Sequence, residues 1–185
     1  MYSVREQPAI CGLSIRLNEE LRQSGVSGEL YLVGGAVMCL AYDARPSTFD
    51  VDAYFRPADE VRKAAARAAA KVGVDPDWLN DGVKGYLSAQ RDFAPFLELD
   101  HLRVMVAEPR YLLAMKCLAM RIGAEFHDEE DVRYLLRHLG VRSYAEALGI
   151  IIKYYPLSAF LRNRSTRSKS CYRSVQAEND CGRRR

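Results

Sequence analysis

Two aspartates, Asp50 and Asp52, carry the clearest chemical signal of this sequence and lie in the segment TFDVDAYF. Residues two apart in a β-strand share a face, so we expect both carboxylates to project together while Val51, Ala53 and Phe55 face a core. Neighbouring carboxylates repel each other, and a divalent cation relieves that repulsion. The pair predicts a site that binds Mg²⁺ (or Mn²⁺) for phosphoryl or nucleotidyl transfer.

A double glycine, Gly34-Gly35, follows the apolar segment ELYLV, and Gly34 precedes Asp50 by sixteen residues. Glycine allows close approach of a ligand to the backbone, and the helix expected after it would favour a phosphate at its N-terminus. Sixteen residues accommodate one helix and a returning strand, so the glycines and the aspartates are predicted to meet at one cleft. Arg45 and Thr48 are candidates for further contacts with a triphosphate. Each signal alone is more often a tight turn or a solvated strand face.

The periodicity of apolar residues predicts the elements that must position these groups. It indicates helices over 8–24, 36–42, 57–73, 110–122, 128–139 and 143–154, a short helix from Asp75-Pro76, and strands over 29–33, 48–55 and within 93–107. This order predicts an α+β domain with a small mixed sheet flanked by helices and a C-terminal helical extension. We expect a core over 1–108, a helical part over 109–161 and a disordered basic tail over 162–185.

Composition restricts the class of protein further. With 49% hydrophobic and 28% charged residues over 185 positions, the chain is predicted to be globular. It has no run of 18 apolar residues and no secretory pattern at its start, which predicts no membrane association. Its five cysteines have no CxxC spacing, which favours reduced thiols in the cytoplasm over a zinc site.

Charge is unevenly distributed along the chain. Residues 162–185 have a net charge of +6, and the remainder has −3. A basic tail favours contacts with nucleic-acid phosphates, and the alternative is a solvated chain end.

The order strand, double glycine, helix, and then two aspartates on a strand resembles the signature of nucleotidyltransferases of the polymerase-β superfamily. Over roughly residues 28–157 the similarity extends to the DUF6036 group, allied to the AbiEii/AbiGii-type toxins of bacterial toxin–antitoxin and abortive-infection systems. It is carried by LVGGAVMCLAYDARPSTFDVDAYFRP, DWLNDGVKGYL, LRVMVAEPRYLLAMKCLAMR and HDEEDVRYLL.

The resemblance implies a Mg²⁺-dependent enzyme that transfers a nucleotide from a nucleoside triphosphate to an acceptor. The 3′ end of tRNA is the leading acceptor, and a cognate antitoxin protein is an expected partner. The implied site consists of the metal ligands Asp50 and Asp52, the nucleotide-binding residues Gly34, Gly35, Arg45, Thr48 and Lys116, and a further acid, Asp131 in preference to Asp128.

Several alternatives stay open from the residues themselves. Lys116 is also consistent with a surface lysine on a core helix, and Asp128 with an N-cap. Trp78 is expected in the core, with Asn80 and Asp81 in a helix-ending turn and a substrate role as the alternative.

The segment LRVMV lacks the third carboxylate that such enzymes often carry on a later strand. A catalytically weak or inactive nucleotide-binding module is therefore a competing hypothesis, as is transfer to a protein or a small molecule such as an aminoglycoside.

Overall fold

The structure, a computed structural model, describes residues 7–44, 48, 51–120 and 127–161. These residues form seven α-helices, five β-strands and one 3-10 helix. The helices are α1 (Gln7–Gln23), α2 (Gly34–Leu40), α3 (Ala58–Val72), α4 (Pro109–Ala119), α5 (Asp128–His138), α6 (Tyr144–Tyr154) and α7 (Leu157–Leu161). The strands are β1 (Gly28–Leu32), β2 (Val51–Arg56), β3 (Leu79–Asn80), β4 (Phe93–Glu98) and β5 (Leu102–Ala107), and the 3-10 helix is Gly82–Tyr86.

The described chain divides into two compact units. The first comprises the described parts of Met1–Gly85 and Phe93–Ala107, and the second those of Tyr86–Asp92 and Glu108–Arg185. The first unit therefore holds the sheet with α1 to α3, and the second holds α4 to α7 with a short segment that precedes β4. The predicted boundary after residue 108 stays a prediction, and the predicted tail over 162–185 lies outside the described residues.

The first unit contains a five-stranded mixed sheet in the order β3-β2-β1-β5-β4. The β1–β2 and β4–β5 pairs are antiparallel, whereas β1–β5 and β2–β3 are parallel. Together with the surrounding helices this confirms the predicted mixed α+β class. The short β3 pairs with β2 in the register Val51 to Leu79 and Asp52 to Asn80.

One face of the sheet is apolar and forms the core of this unit. The β2 side chains of Val51, Ala53 and Phe55 are buried, which confirms the predicted alternation. The face of α1 defined by its leucines is buried as predicted, and α1 packs against α3. Trp78 is 2% exposed, and its Nε1 donates to the carbonyl oxygen of Ala65 at 3.2 Å, so its predicted place in the core is also confirmed.

The second unit is built on α4, which packs against both α5 and α6. The Tyr86–Asp92 segment joins it through two hydrogen bonds: the Ser88 hydroxyl donates to the carbonyl oxygen of Tyr154, and the Tyr155 hydroxyl donates to that of Tyr86. Helix α6 begins at the predicted N-cap Ser143, whose hydroxyl accepts the N–H of Glu146 at 3.2 Å. The Glu146 carboxylate accepts the N–H of Arg142, one residue before the N-cap, so the predicted capping box is confirmed only in its Ser143 half. Among the described helices none is both long and apolar enough to cross a membrane.

Candidate active site

The candidate site lies on the face of the sheet opposite the core, which we call the polar face. It carries the side chains of Tyr31 on β1, Asp52 and Tyr54 on β2, and Arg103 on β5. Asp52 and Tyr54 are half-buried, whereas their β2 neighbours on the other face are fully buried. The period-two alternation of β2 therefore sets Asp52 on the face that a ligand can reach.

Gly34 and Asp52 are in close contact, as the spacing of the two motifs predicted. The N–H of Val33 donates to the carbonyl oxygen of Asp52 at 3.0 Å, which fixes the end of β1 beside the start of β2. Gly34 has φ +63°, and a Cβ atom on it would lie 2.9 Å from Oδ2 of Asp52. Only glycine allows both this backbone conformation and this approach. The missing side chain therefore makes room for the Asp52 carboxylate at the start of α2.

The polar face also carries a network around Tyr31. The Tyr31 and Tyr54 ring centroids lie 5.8 Å apart, and the Tyr31 hydroxyl donates to Glu29 at 2.9 Å. Burial, together with that hydrogen bond, raises the pKa of Tyr31, and a hydrogen bond from Arg56 lowers the pKa of Glu29. Next to Asp52 the sheet thus carries an aromatic pair, and the charged residues beyond it form ion pairs with each other.

Asn80 lies beside Asp52, which the sequence did not predict. The prediction of a short helix from Asp75-Pro76 is wrong at this point, because Leu79 and Asn80 form β3 and pair with β2. The physical reason is tertiary: the N–H of Val51 donates to the carbonyl oxygen of Trp78 at 2.9 Å. A strand of two residues is too short to produce a periodic pattern. The sequence signal for Asn80 was therefore limited to its place in a polar pair with Asp81, shortly after Trp78.

The structure describes only some of the other residues that were predicted for this site. Arg45 and Asp50 lie outside the described residues, so their predicted roles stay predictions. Thr48 is buried, and Gly35 is a buried residue of α2.

Lys116 lies in the second unit and forms ion pairs with two aspartates of α5. Its Nζ is 2.9 Å from Oδ1 of Asp128 and 2.7 Å from Oδ2 of Asp131. The two aspartates are one helical turn apart in the first turn of α5, so both carboxylates reach one ammonium group. The three side chains are only 5–9% exposed. Their ion pairs offset part of the cost of burying these side chains.

This geometry corrects two of the readings left open for these residues. Lys116 is not a surface lysine, since its side chain is buried against α5. Asp128 is the first residue of α5, whose N-cap is His127, and its carboxylate binds Lys116 instead of capping the helix. The predicted contact of Lys116 with a triphosphate and the predicted role of Asp131 stay predictions.

Within the described ranges no group of three His, Cys, Asp or Glu side chains is arranged to hold a metal ion. Of the two aspartates predicted to hold a metal ion, the structure describes Asp52, and Asp50 lies outside the described ranges. Carboxylate oxygen is the donor that Mg²⁺ prefers, so the donor chemistry at Asp52 fits the metal that the resemblance implies.

A scan of protein-family models finds no match to this chain, and searches of curated proteins and of solved structures find none either.

Proposed function

We propose that the chain is a metal-dependent nucleotidyltransferase with a polymerase-β-like fold, related to the DUF6036 and AbiEii/AbiGii-type proteins that its sequence resembles. One observation carries the proposal: the Asp52 carboxylate lies against Gly34, at the point where the double glycine and the aspartate strand meet. A glycine that only forms a turn does not need to contact a carboxylate, and an aspartate that only faces the solvent does not need to contact a glycine. Their contact on the polar face supports a shared role in binding a ligand.

In this proposal Asp50 and Asp52 hold Mg²⁺, which when bound neutralises triphosphate charge and orients the attacking hydroxyl. The backbone at Gly34 and Gly35 would approach the phosphates, because glycine has no side chain of its own to hold a ligand away from the backbone. Arg45 and Thr48 would add contacts to the phosphates. Lys116 is proposed to bind the triphosphate as a point charge, and Asp131 to act as a base or to position a metal ion. Because the two side chains form a buried ion pair, substituting either one also changes stability, so activity and stability must be measured together.

The acceptor in this proposal is RNA, with the 3′ end of tRNA as the leading candidate. Transfer of a nucleotide to that end would block translation, as expected of the toxin in a toxin–antitoxin or abortive-infection system. A separate antitoxin protein would then be the partner of the chain. These elements rest on the resemblance alone.

A second candidate function is nucleotide binding with weak or no turnover. The observation that favours it is the composition of β5, which lies parallel to β1 in the sheet and projects Arg103 and Met105 on the polar face where related enzymes often have an acid. A site with two carboxylates offers a divalent cation fewer oxygen ligands than a site with three.

The test incubates the purified protein with Mg²⁺, each of four labelled nucleoside triphosphates and total RNA. Asp50→Ala and Asp52→Ala are the loss-of-function variants, and Asp59→Ala is the matched control, because Asp59 is an exposed acid on α3. We expect label in a tRNA-sized band with the wild type and Asp59→Ala, and none with the other two. Thermal unfolding of both variants checks that each of them folds normally.

The outcomes separate the candidates. Full labelling by Asp52→Ala would contradict the proposed site. Mg²⁺-dependent triphosphate binding without label in any RNA would favour the binding module, or transfer to a protein or small molecule. Absence of triphosphate binding would contradict both candidate functions.

A further inference from the structure

Helix α6 has an apolar surface on its outer side. Among the described residues, large hydrophobic side chains are exposed at Ile152 on α6 (50%) and at Leu157 at the start of α7 (54%). A surface helix of a globular protein ordinarily carries charged and polar residues on its outer side. Exposed apolar residues that cluster in this way mark interaction surfaces.

The helical periodicity of α6 defines this surface. The inner side packs against α4 and consists of the buried residues Ala147, Ile150, Ile151 and Tyr154. With about 3.6 residues per turn, the other side carries Ala145, Leu148, Gly149 and Ile152, which we call the α6 outer stripe. Leu148 is half-buried and the other three are exposed. A Cβ atom on Gly149 would meet no described atom within 4 Å, so the stripe is open at its centre.

The two charged residues of α6 lie beside the outer stripe. Glu146 is in its first turn and Lys153 is in its last turn. They are seven residues apart, which is close to two full turns, so both lie on the same flank of the stripe. In the described structure Glu146 accepts the N–H of Arg142, and Lys153 pairs with Asp92 at the surface. A carboxylate accepts up to about four hydrogen bonds and an ammonium donates three, so each group has the capacity for a further partner.

A second copy of α6 in the antiparallel direction complements the stripe in shape. A two-fold axis between Leu148 and Gly149 makes Leu148 of one protomer oppose Gly149 of the other. The same axis makes Ile152 oppose Ala145. Each large side chain thus meets a small one, and each contact occurs twice, as in every two-fold interface between identical chains.

The same arrangement is complementary in charge. The two-fold axis brings Glu146 of each protomer to within about 3 Å, along the helix axis, of Lys153 of the other, on the same flank. Two pairs of opposite charge then border the apolar contact, and they favour the antiparallel arrangement over a parallel one, which would bring like charges together. A partner of another sequence would not require this symmetry within α6.

We propose that the chain forms a two-fold homodimer in which the α6 outer stripes of two protomers pack antiparallel. This inference is independent of the proposed function. One side of an eleven-residue helix is small for a specific interface, so the dimer is weak, with a Kd on the order of 1–100 μM.

The first experiment is sedimentation equilibrium of the full chain from about 1 to about 500 μM, with a reductant that prevents disulfide links between protomers. We expect wild type to change from monomer to dimer over this range. Ile152→Arg introduces a charge into the apolar contact and should weaken association by about tenfold or more. Ile15→Arg is the matched control, because Ile15 is also 50% exposed but lies on α1, and it should associate as wild type does. Thermal unfolding of each variant checks its folding.

The second experiment tests the antiparallel direction through the charges. Glu146→Lys and Lys153→Glu should each weaken association, because each replaces two attractive pairs by two repulsive ones. The double variant restores opposite charges across the interface and should dimerise more tightly than either single variant.

The outcomes decide each part of the proposal. A wild-type chain that remains monomeric over the whole range would overturn it. Association that Ile152→Arg leaves unchanged would show that another surface forms the dimer. Loss of the dimer in Ile152→Arg without recovery in the double charge variant would overturn the antiparallel arrangement.

Discussion

Gly34 is the residue on which the geometry of the candidate site depends most directly. Its φ of +63° is a left-handed conformation, and a Cβ atom there would meet Oδ2 of Asp52 at 2.9 Å. We expect Gly34→Ala to lose about 1–2 kcal/mol of stability from the backbone conformation alone. The carboxylate would have to move away from the new methyl group, so nucleotidyl transfer should fall sharply. Chemical denaturation and the labelling assay measure the two effects.

Gly25→Ala is the matched control for that variant. Gly25 has φ +65°, and a Cβ atom on it would meet no atom within 4 Å. It should lose a similar amount of stability while retaining activity. Equal activity of the two variants would show that the Gly34–Asp52 contact does not matter for the reaction.

The ion pairs of Lys116 allow a prediction about stability that needs no assumption about function. Replacing Lys116 by methionine removes a buried positive charge that pairs with two buried carboxylates, and loss of one partner from a buried ion pair typically destabilises by about 3–5 kcal/mol. Lys153→Met is the control: Lys153 pairs with Asp92 at the surface, where an ion pair contributes about 0–1 kcal/mol. Urea denaturation gives both values. A folded, fully stable Lys116→Met protein that has lost transfer activity would instead assign the ammonium to the reaction.

Sequence alone could predict Asp52 and Gly34 as partners, because a local alternation and a short spacing carried the signal. It could not place Lys116, since its two aspartates are 12 and 15 positions further along and belong to another helix. The periodic pattern around Lys116 predicts that this residue lies on a helix. It does not predict which side chains of other helices Lys116 contacts.

Helices α1 and α3 are joined by Glu20, a buried acid that binds two basic residues of α3. Its carboxylate accepts hydrogen bonds from Lys71 and, at 2.9 Å, from Arg67. These bonds, that of Lys71 foremost, lower the pKa of Glu20 in the folded protein. A lowered folded-state pKa means that the stabilisation is present above the ordinary glutamate range and is lost as the pH falls through and below it.

Glu20→Gln should therefore be less stable than wild type at pH 7, and the difference should narrow at about pH 3. Denaturation curves at the two pH values provide the comparison. Glu19→Gln is the control, because Glu19 is a half-exposed neighbour whose ion pair with Arg16 contributes only about 0–1 kcal/mol to stability. A Glu20→Gln difference of constant size would contradict the pKa argument.

The helices and strands differ in how well the sequence predicted them. Long periodic segments such as α1 and α5 were predicted to within a few residues, because their apolar spacing is repeated over several turns. The β3 segment was not, since its two residues become a strand only through hydrogen bonds with β2, nearly thirty positions earlier in the chain. Asn80, which pairs with Asp52 in the β2–β3 register, lies in the segment that was wrongly predicted as a helix.

At the scale of the whole molecule, charge separates the C-terminal residues from the rest. Residues 162–185 carry +6 and the remainder −3. If RNA is the acceptor, deletion of 162–185 should weaken RNA binding and flatten its salt dependence, by about 0.7 in the slope of log K against log salt for each phosphate contact removed from a single strand. Filter binding over a range of salt concentrations measures the slope. An unchanged slope would remove these residues from RNA binding.

The Tyr86–Asp92 segment has a consequence for how the protein is made. It precedes β4 and β5 in the chain, yet its bonds run to Tyr154 and Tyr155, 66 and 69 positions later. A ribosome delivers the chain from its N-terminus, so all five strands of the sheet leave the exit tunnel while this segment still lacks its partners. The sheet unit can close once Ala107 has emerged, and the helical unit must wait for nearly fifty more residues. Translation thus sets an order of assembly that the finished molecule no longer displays.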